Sequence, residues 1–294
     1  MDVLIPRTLD EALEMKAERP EAVPIAGGTD LMVDLNFGRL RPPAVMEVSR
    51  LRELAEFRSE DGSTFLGAGV TYMTIERELG ALAPLVQASR TVGSPQIRNR
   101  ATVGGNLGTA SPAGDALPVL AAYDAVIVMA SARGGTRSLP WNRFLTGPKK
   151  NALRPDELIL GARWKVPRGP GSFSKIGTRN AMVISVAGVC LQLDEDDRNV
   201  RVALGSVAPT IVRAPDAEEF LAGALDDAGA WDDRGAPVPP PAVEEFGERV
   251  AAAATPIDDV RGTAAYRRLG VMVLARRALS WALMERAAGA LAEG

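Results

Sequence analysis

The chain has no histidine and a single cysteine, Cys190. Histidine triads, histidine metal sites and histidine proton relays are therefore excluded. One thiol can neither ligate an iron–sulfur cluster nor close an internal disulfide. Aromatic residues are only 5% of the composition, and lysine is scarce, 5 against 29 arginines. The longest uncharged apolar run, residues 181–193, falls well short of the roughly 20 residues that cross a bilayer. A net charge of −3 gives no general basis for binding nucleic acid or anionic membrane. The opening Met1-Asp2-Val3-Leu4-Ile5-Pro6 lacks a basic stretch followed by an apolar one, so a soluble cytoplasmic protein without a secretory signal is expected. Demanding chemistry must come from a bound cofactor, or from carboxylates and hydroxyls.

What is present is length and punctuation. At about 150 residues per domain, 294 residues suggest two domains. Thr8 reads as the N-cap of a first helix, with Glu11 at the capping-box position. Short strands are expected at 22–26, 44–48 and 64–68, the last followed by a helix near Thr71–Thr74, which together make an α/β unit. A helix end at 119–123 runs into a strand at 125–130, Gly134-Gly135 turns the chain, and a return strand begins at Arg137. Leu158 to Val166 is a further strand, and the cluster Pro167-Arg168-Gly169-Pro170-Gly171 is the best domain boundary. Beyond it, 172–175, 183–193 and 200–206 read as an antiparallel sheet, with 194–199 as a hairpin turn. The rest is helical apart from a Gly/Asp/Pro-rich loop at 226–241. In the final helix, about 263–291, Tyr266, Leu269, Val273, Leu274, Trp281 and Met284 are expected to face the core, and Arg267, Arg268, Arg276 and Arg277 to face elsewhere.

Two glycine pairs stand at the ends of apolar segments: Ile25-Ala26-Gly27-Gly28-Thr29-Asp30-Leu31 and Thr102-Val103-Gly104-Gly105-Asn106. Paired glycines let successive amides turn inward as an anion-binding concavity, and the missing Cβ atoms let a phosphate approach. Thr29, Thr102 and Asn106 add side-chain hydrogen bonds. A single Gly-Gly turn is ordinary; two flanked by hydroxyls suggest a diphosphate. The usual dinucleotide fingerprint does not fit, because Gly67-Ala68-Gly69-Val70-Thr71-Tyr72 has Tyr72 where the third glycine belongs. Ser111 and Asp115 follow the second loop and are spaced to face one ligand; alternatively Asp115 caps a helix starting at Ala116.

Taken together, 26–31, 93–99 (Gly-Ser-Pro-Gln-Ile-Arg-Asn), 102–106, Ser111-Pro112 with Asp115, and 258–267 resemble the FAD-binding medium subunit of molybdenum hydroxylases, the group of the carbon monoxide dehydrogenase medium chain and the xanthine dehydrogenase flavin domain. The resemblance implies an α+β fold: a two-subdomain FAD-binding domain at 1–168 (roughly 1–60 and 61–168), of the vanillyl-alcohol-oxidase and xanthine-dehydrogenase type, then a C-terminal domain at 169–294 with a three-stranded antiparallel sheet and a helical bundle. It implies that Ile25, Ala26, Gly27, Gly28, Thr29, Asp30 and Leu31 hold FAD together with Thr102, Gly104, Gly105, Asn106 and Ser111. By position, Asp115 falls on an acidic FAD contact, Ile159 on an apolar one and Lys175 on a basic one. It also implies partners: a large molybdenum subunit with molybdopterin and a small subunit with [2Fe–2S] clusters, as a dimer of heterotrimers, passing electrons through this flavin to NAD⁺, a quinone or another acceptor. Thr29-Asp30 departs from the pair in carbon monoxide dehydrogenase chains and leans the reading toward an aromatic heterocycle or an aldehyde. A stand-alone flavin reductase or oxidase, with Tyr72, Glu76 or Asp30 as acid or base, and a non-catalytic nucleotide-binding subunit stay open as alternatives.

Overall fold

The computed structural model describes the backbone of residues 1–293 and side chains through 288. In chain order the elements are β1 (Asp2–Leu4), α1 (Leu9–Glu18), β2 (Val23–Ile25), α2 (Leu31–Asn36), β3 (Ala44–Glu47), β4 (Phe57–Glu60), β5 (Ser63–Gly67), α3 (Tyr72–Glu78), α4 (Ala83–Thr91), α5 (Pro95–Arg98), α6 (Val103–Thr109), α7 (Ala116–Ala122), β6 (Val126–Ser131), β7 (Gly135–Pro140), α8 (Trp141–Phe144), β8 (Leu145–Gly147), β9 (Lys150–Asn151), β10 (Leu158–Lys165), β11 (Gly171–Ile176), β12 (Ala187–Asp194), β13 (Asn199–Gly205), β14 (Val212–Arg213), α9 (Pro215–Asp227), α10 (Pro240–Ala252) and α11 (Ala264–Glu293). Among the described residues no helix is long and apolar enough to cross a membrane.

The chain divides into two compact units that interleave in sequence. The first, residues 1–79, 92–111 and 124–165, carries a parallel sheet in the order β1-β3-β2 and an antiparallel sheet in the order β4-β5-β10-β6-β7. Thr8 does cap α1, its hydroxyl accepting the Glu11 amide at 3.2 Å, while the Glu11 carboxylate accepts the Arg7 amide at 2.7 Å. The helix buries Ala12 beside Ala22, Ala44, Met46, Leu51 and Leu54. It also buries Lys16, whose ammonium is satisfied by the carbonyls of Pro20 and Ala22 at 2.8 and 2.6 Å. In β10 the pairing with β6 shifts register between Ile159 and Gly161. Such a bulge re-aims neighbouring side chains.

The second unit, residues 80–91, 112–123 and 166–294, holds the sheet β11-β12-β13-β14: three long strands and a two-residue edge strand. The hairpin closes as expected, with Asp194 paired to Asn199. All eight residues of β12 are buried, since α7 and α11 both pack against it, which accounts for an apolar run without alternation.

Helix α11 corrects the sequence reading. Tyr266, Leu269, Trp281 and Met284 are about half exposed, and Val273 is partly so, whereas Val271, Leu274, Ala275, Ala278, Leu279 and Ala282 make the core face. Arg267, expected to face away, is buried, its guanidinium satisfied by the carbonyls of Val186 and Ser206 at 2.7 Å and by Asp259 at 2.6 Å. The buried stripe mixes Val271, Leu274 and Leu279 with alanines, and at Gly270 the helix comes close to the sheet: a Cβ there would lie 3.0 Å from the Ile176 side chain.

Candidate functional site

The first unit contains a cavity of about 570 Å³, within the range of small-molecule sites. Both glycine loops line it. The strand β2 delivers the first: Ile25 ends the strand, Gly28 takes a left-handed φ of +72°, and α2 begins at Leu31. Gly27 is required by packing, since a Cβ there would lie 2.0 Å from the Arg100 carbonyl oxygen. The amides of Gly27, Gly28, Thr29 and Asp30 donate to no acceptor among the described residues, although they lie in the wall of the cavity. A run of unused donors is a ready cradle for an anion.

The second loop is built differently. Thr102 caps α6, its hydroxyl accepting the Gly105 amide at 3.0 Å. The amides of Val103, Gly104 and Asn106 donate to the carbonyls of Val70, Ala68 and Thr102 at 3.3, 2.9 and 3.1 Å. What this loop presents to the cavity is space at Gly105, where a Cβ would meet only the Thr102 hydroxyl at 3.3 Å, and the Asn106 side chain, whose Oδ1 is buried without a partner. Gly104 has a packing role, because a Cβ would lie 2.5 Å from that of Ala68. Gly67 of the broken fingerprint does likewise, as a Cβ would lie 2.3 Å from the Leu54 carbonyl.

The structure brings Ile25 to Leu31, Thr102, Gly104, Gly105, Asn106 and Ile159 to one cavity. Leu158 and Ile159, successive residues of β10, both line it. Contributors that sequence reasoning did not mark include Leu54, Thr109, Lys149 and Leu153. Asn151 ties the Leu153 segment to the end of α6, donating to the Gly108 carbonyl at 2.9 Å and accepting the Leu153 amide at 3.1 Å. Tyr72, earlier considered as an acid or base, lines the same cavity; Glu76 does not, and pairs with Arg98 at 3.1 Å.

Ser111, Asp115 and Lys175 are not among the lining residues. Asp115 and Lys175 form a buried ion pair of 2.6 Å inside the second unit. The Lys175 ammonium also donates to the carbonyls of Thr91 and Val183, at 2.9 and 3.1 Å. Asp115 occupies the N-cap position of α7 but makes no capping bond. Burial pushes its carboxyl up to about 6, against the opposing charge of Lys175, and its Oδ1 is buried without a partner. Cys190 is fully buried, and burial pushes its thiol far above the ordinary range, so it is inert. Among the described residues no cluster suited to a metal ion occurs.

Residues 1–167 match the family described as the FAD binding domain in molybdopterin dehydrogenase, and residues 172–282 the CO dehydrogenase flavoprotein C-terminal domain. The chain is 36% identical over 234 residues to the nicotinate dehydrogenase FAD-subunit of Eubacterium barkeri, covering 74% of this chain and 78% of that one. It is 34% identical over 226 residues to the putative xanthine dehydrogenase FAD-binding subunit of Escherichia coli K12, covering 72% and 76%. Its fold matches a chain of quinoline 2-oxidoreductase from Pseudomonas putida 86, with a TM-score of 0.86 at 22% identity over 98% of each chain. Carbon monoxide dehydrogenase from Hydrogenophaga pseudoflava gives 0.85 at 24% identity, over 97% and 98%. With both family regions in order along one chain, and a cavity whose idle amides and glycine-cleared wall suit a diphosphate, the protein belongs to the FAD-binding subunits of the molybdenum hydroxylases and is a flavoprotein component of an oxidoreductase.

Proposed function

We propose that this chain carries electrons within a heterotrimeric molybdenum hydroxylase, from [2Fe–2S] clusters on a small subunit to an external acceptor such as NAD⁺ or a quinone. A large subunit with molybdopterin oxidises the substrate, and the assembly is a dimer of heterotrimers in the cytoplasm. One cysteine and no histidine support this division of labour, because the clusters must sit elsewhere. The relatives named above are subunits of a nicotinate dehydrogenase and a putative xanthine dehydrogenase, which supports a nitrogen heterocycle as the substrate class. When bound, FAD supplies reversible electron uptake and release; the protein supplies binding and electrostatics.

The observation that carries the reading is the run of idle amides from Gly27 to Asp30. In this reading they hold the FAD diphosphate, with Thr29 and the Asn106 amide as side-chain donors. Gly28 gives the turn, and Gly105 leaves the diphosphate room. Thr102 shapes the second loop through its cap, and Ala26, Leu31, Gly104, Ile25 and Ile159 form the wall. Ser111, Asp115 and Lys175 are retained as FAD contacts on the family pattern. Residues 1–168 are read as the FAD-binding domain and 169–294 as the C-terminal domain, supported by the matched spans 1–167 and 172–282.

The test is purification of the full chain with and without its genomic neighbours. A yellow protein that releases FAD at about one per chain, and that carries molybdenum and iron only when two further chains co-purify, supports the proposal. Colourless protein that does not take up FAD on titration sinks it.

A further inference from the structure

Asp30 stands at the N-cap of α2, where a carboxylate ordinarily accepts that helix's own amides; here it makes no capping bond. Its Oδ2 instead accepts the Thr109 hydroxyl at 2.9 Å, across 79 residues of sequence. Thr109 is the last residue of α6, so the bond joins the end of the first glycine loop to the far end of the helix that the second loop begins. The other end of the first loop is held too: Gly27 packs so closely on the Arg100 carbonyl that no Cβ fits. Between these anchors lie the idle amides of Gly27 to Asp30. A carboxylate beside a diphosphate repels it, so the side chain of Asp30 is poorly suited to contact the anion and well suited to position the donors around it.

We infer that the Asp30–Thr109 hydrogen bond is a strut that pre-organises the amide cradle for the FAD diphosphate, making Asp30, through its side chain, and Thr109 positioning residues. This rests on the proposed cofactor reading of the cavity. Pre-organised donors bind more tightly because less ordering remains to be done at binding. A charge-assisted but exposed hydrogen bond sets the scale at about a three- to tenfold effect on affinity.

The experiment strips FAD from the purified full-length protein and titrates it back, following flavin fluorescence, in Thr109→Val, Thr109→Ser, Asp30→Ala, Asp30→Asn and the double variant Asp30→Ala/Thr109→Val. Hydrogen exchange at Met32, Val33 and Asp34, whose amides bond the Gly28 and Asp30 carbonyls, is measured on each apoprotein. Thr109→Val and Asp30→Ala are expected each to weaken FAD binding about three- to tenfold and to speed that exchange. The double variant should be no worse than either single one, and Thr109→Ser and Asp30→Asn, which keep a donor and an acceptor, should bind within about twofold of wild type. Losses that multiply in the double variant, or Asp30→Asn as weak as Asp30→Ala, overturn the strut. Faster exchange in the Val and Ala variants of a protein that never takes up FAD leaves the strut standing and removes the cofactor reading instead.

Discussion

Gly104 and Gly105 are adjacent, yet their substitutions should fail in different ways. In α6, Gly105 has an ordinary helical backbone, and an added Cβ meets only the Thr102 hydroxyl at 3.3 Å. Replacing a helical glycine with alanine favours folding by up to about 1 kcal/mol, and valine returns roughly half of that. The crowded Thr102 oxygen offsets a few tenths of a kcal/mol, so Gly105→Ala and Gly105→Val should stay within about 1 kcal/mol of wild type. At Gly104 the new Cβ would lie 2.5 Å from the Ala68 Cβ and 2.6 Å from its carbonyl oxygen, which accepts the Gly104 amide at 2.9 Å. That forces backbone apart and costs about 1–3 kcal/mol or more. Flavin content discriminates further. If the diphosphate lies over Gly105, a methyl group there should weaken FAD binding at least about tenfold, or 1.4 kcal/mol, and valine should leave the protein colourless. The assay pairs urea unfolding of the apoprotein, by circular dichroism, with FAD titration. A folded Gly105→Val with wild-type stability and wild-type FAD affinity would refute the idea that this glycine clears room for a ligand.

Two electrostatic predictions follow from the units themselves. Burial raises the folded pKa of Asp115 above its ordinary 3.8, to about 6, so its contribution to stability is full below pH 4 and is lost as pH climbs through 6. The stability of wild type relative to Asp115→Asn should therefore fall between pH 4 and 7, and a flat difference curve from urea midpoints would contradict this. Glu157 behaves oppositely. Burial pushes its carboxyl up, but the Arg137 guanidinium at 2.5 and 2.7 Å and the Arg154 amide at 2.8 Å outweigh burial and hold it below the ordinary range. Its contribution is present above about pH 4.5 and lost as pH falls below that value. Arg137→Ala should cost about 2 kcal/mol at pH 7, because it leaves the buried Glu157 carboxylate with the Arg154 amide but without its charged donor, and should flatten the acid limb of the stability profile; an unchanged profile would show the pair to be idle.

Local signals carried a long way in this chain. Thr8 with Glu11, the hairpin between Asp194 and Asn199, and the apolar run of β12 are short-range patterns whose physics is complete within a few residues. The glycine pairs were legible for a similar reason, since a missing Cβ and a positive φ are properties of one position. The purpose of each glycine was not. Gly27 and Gly104 answer to Arg100 and Ala68, which only the fold brings against them, while Gly105 faces space. The division of donors was equally hidden: α6 uses its own amides to dock on Ala68 and Val70, and the first loop keeps four idle. Helix α11 shows the same limit, because periodicity marks two apolar stripes and only packing against the sheet selects the one of Val271, Leu274, Leu279 and three alanines. Residue identities and their nearest neighbours along the chain thus determined element types, the cofactor class and the exclusion of histidine and cluster chemistry. Tertiary packing alone decided which amides are spent on the fold and which are left for a ligand, because an acceptor 30 or more residues away has no trace in the local pattern.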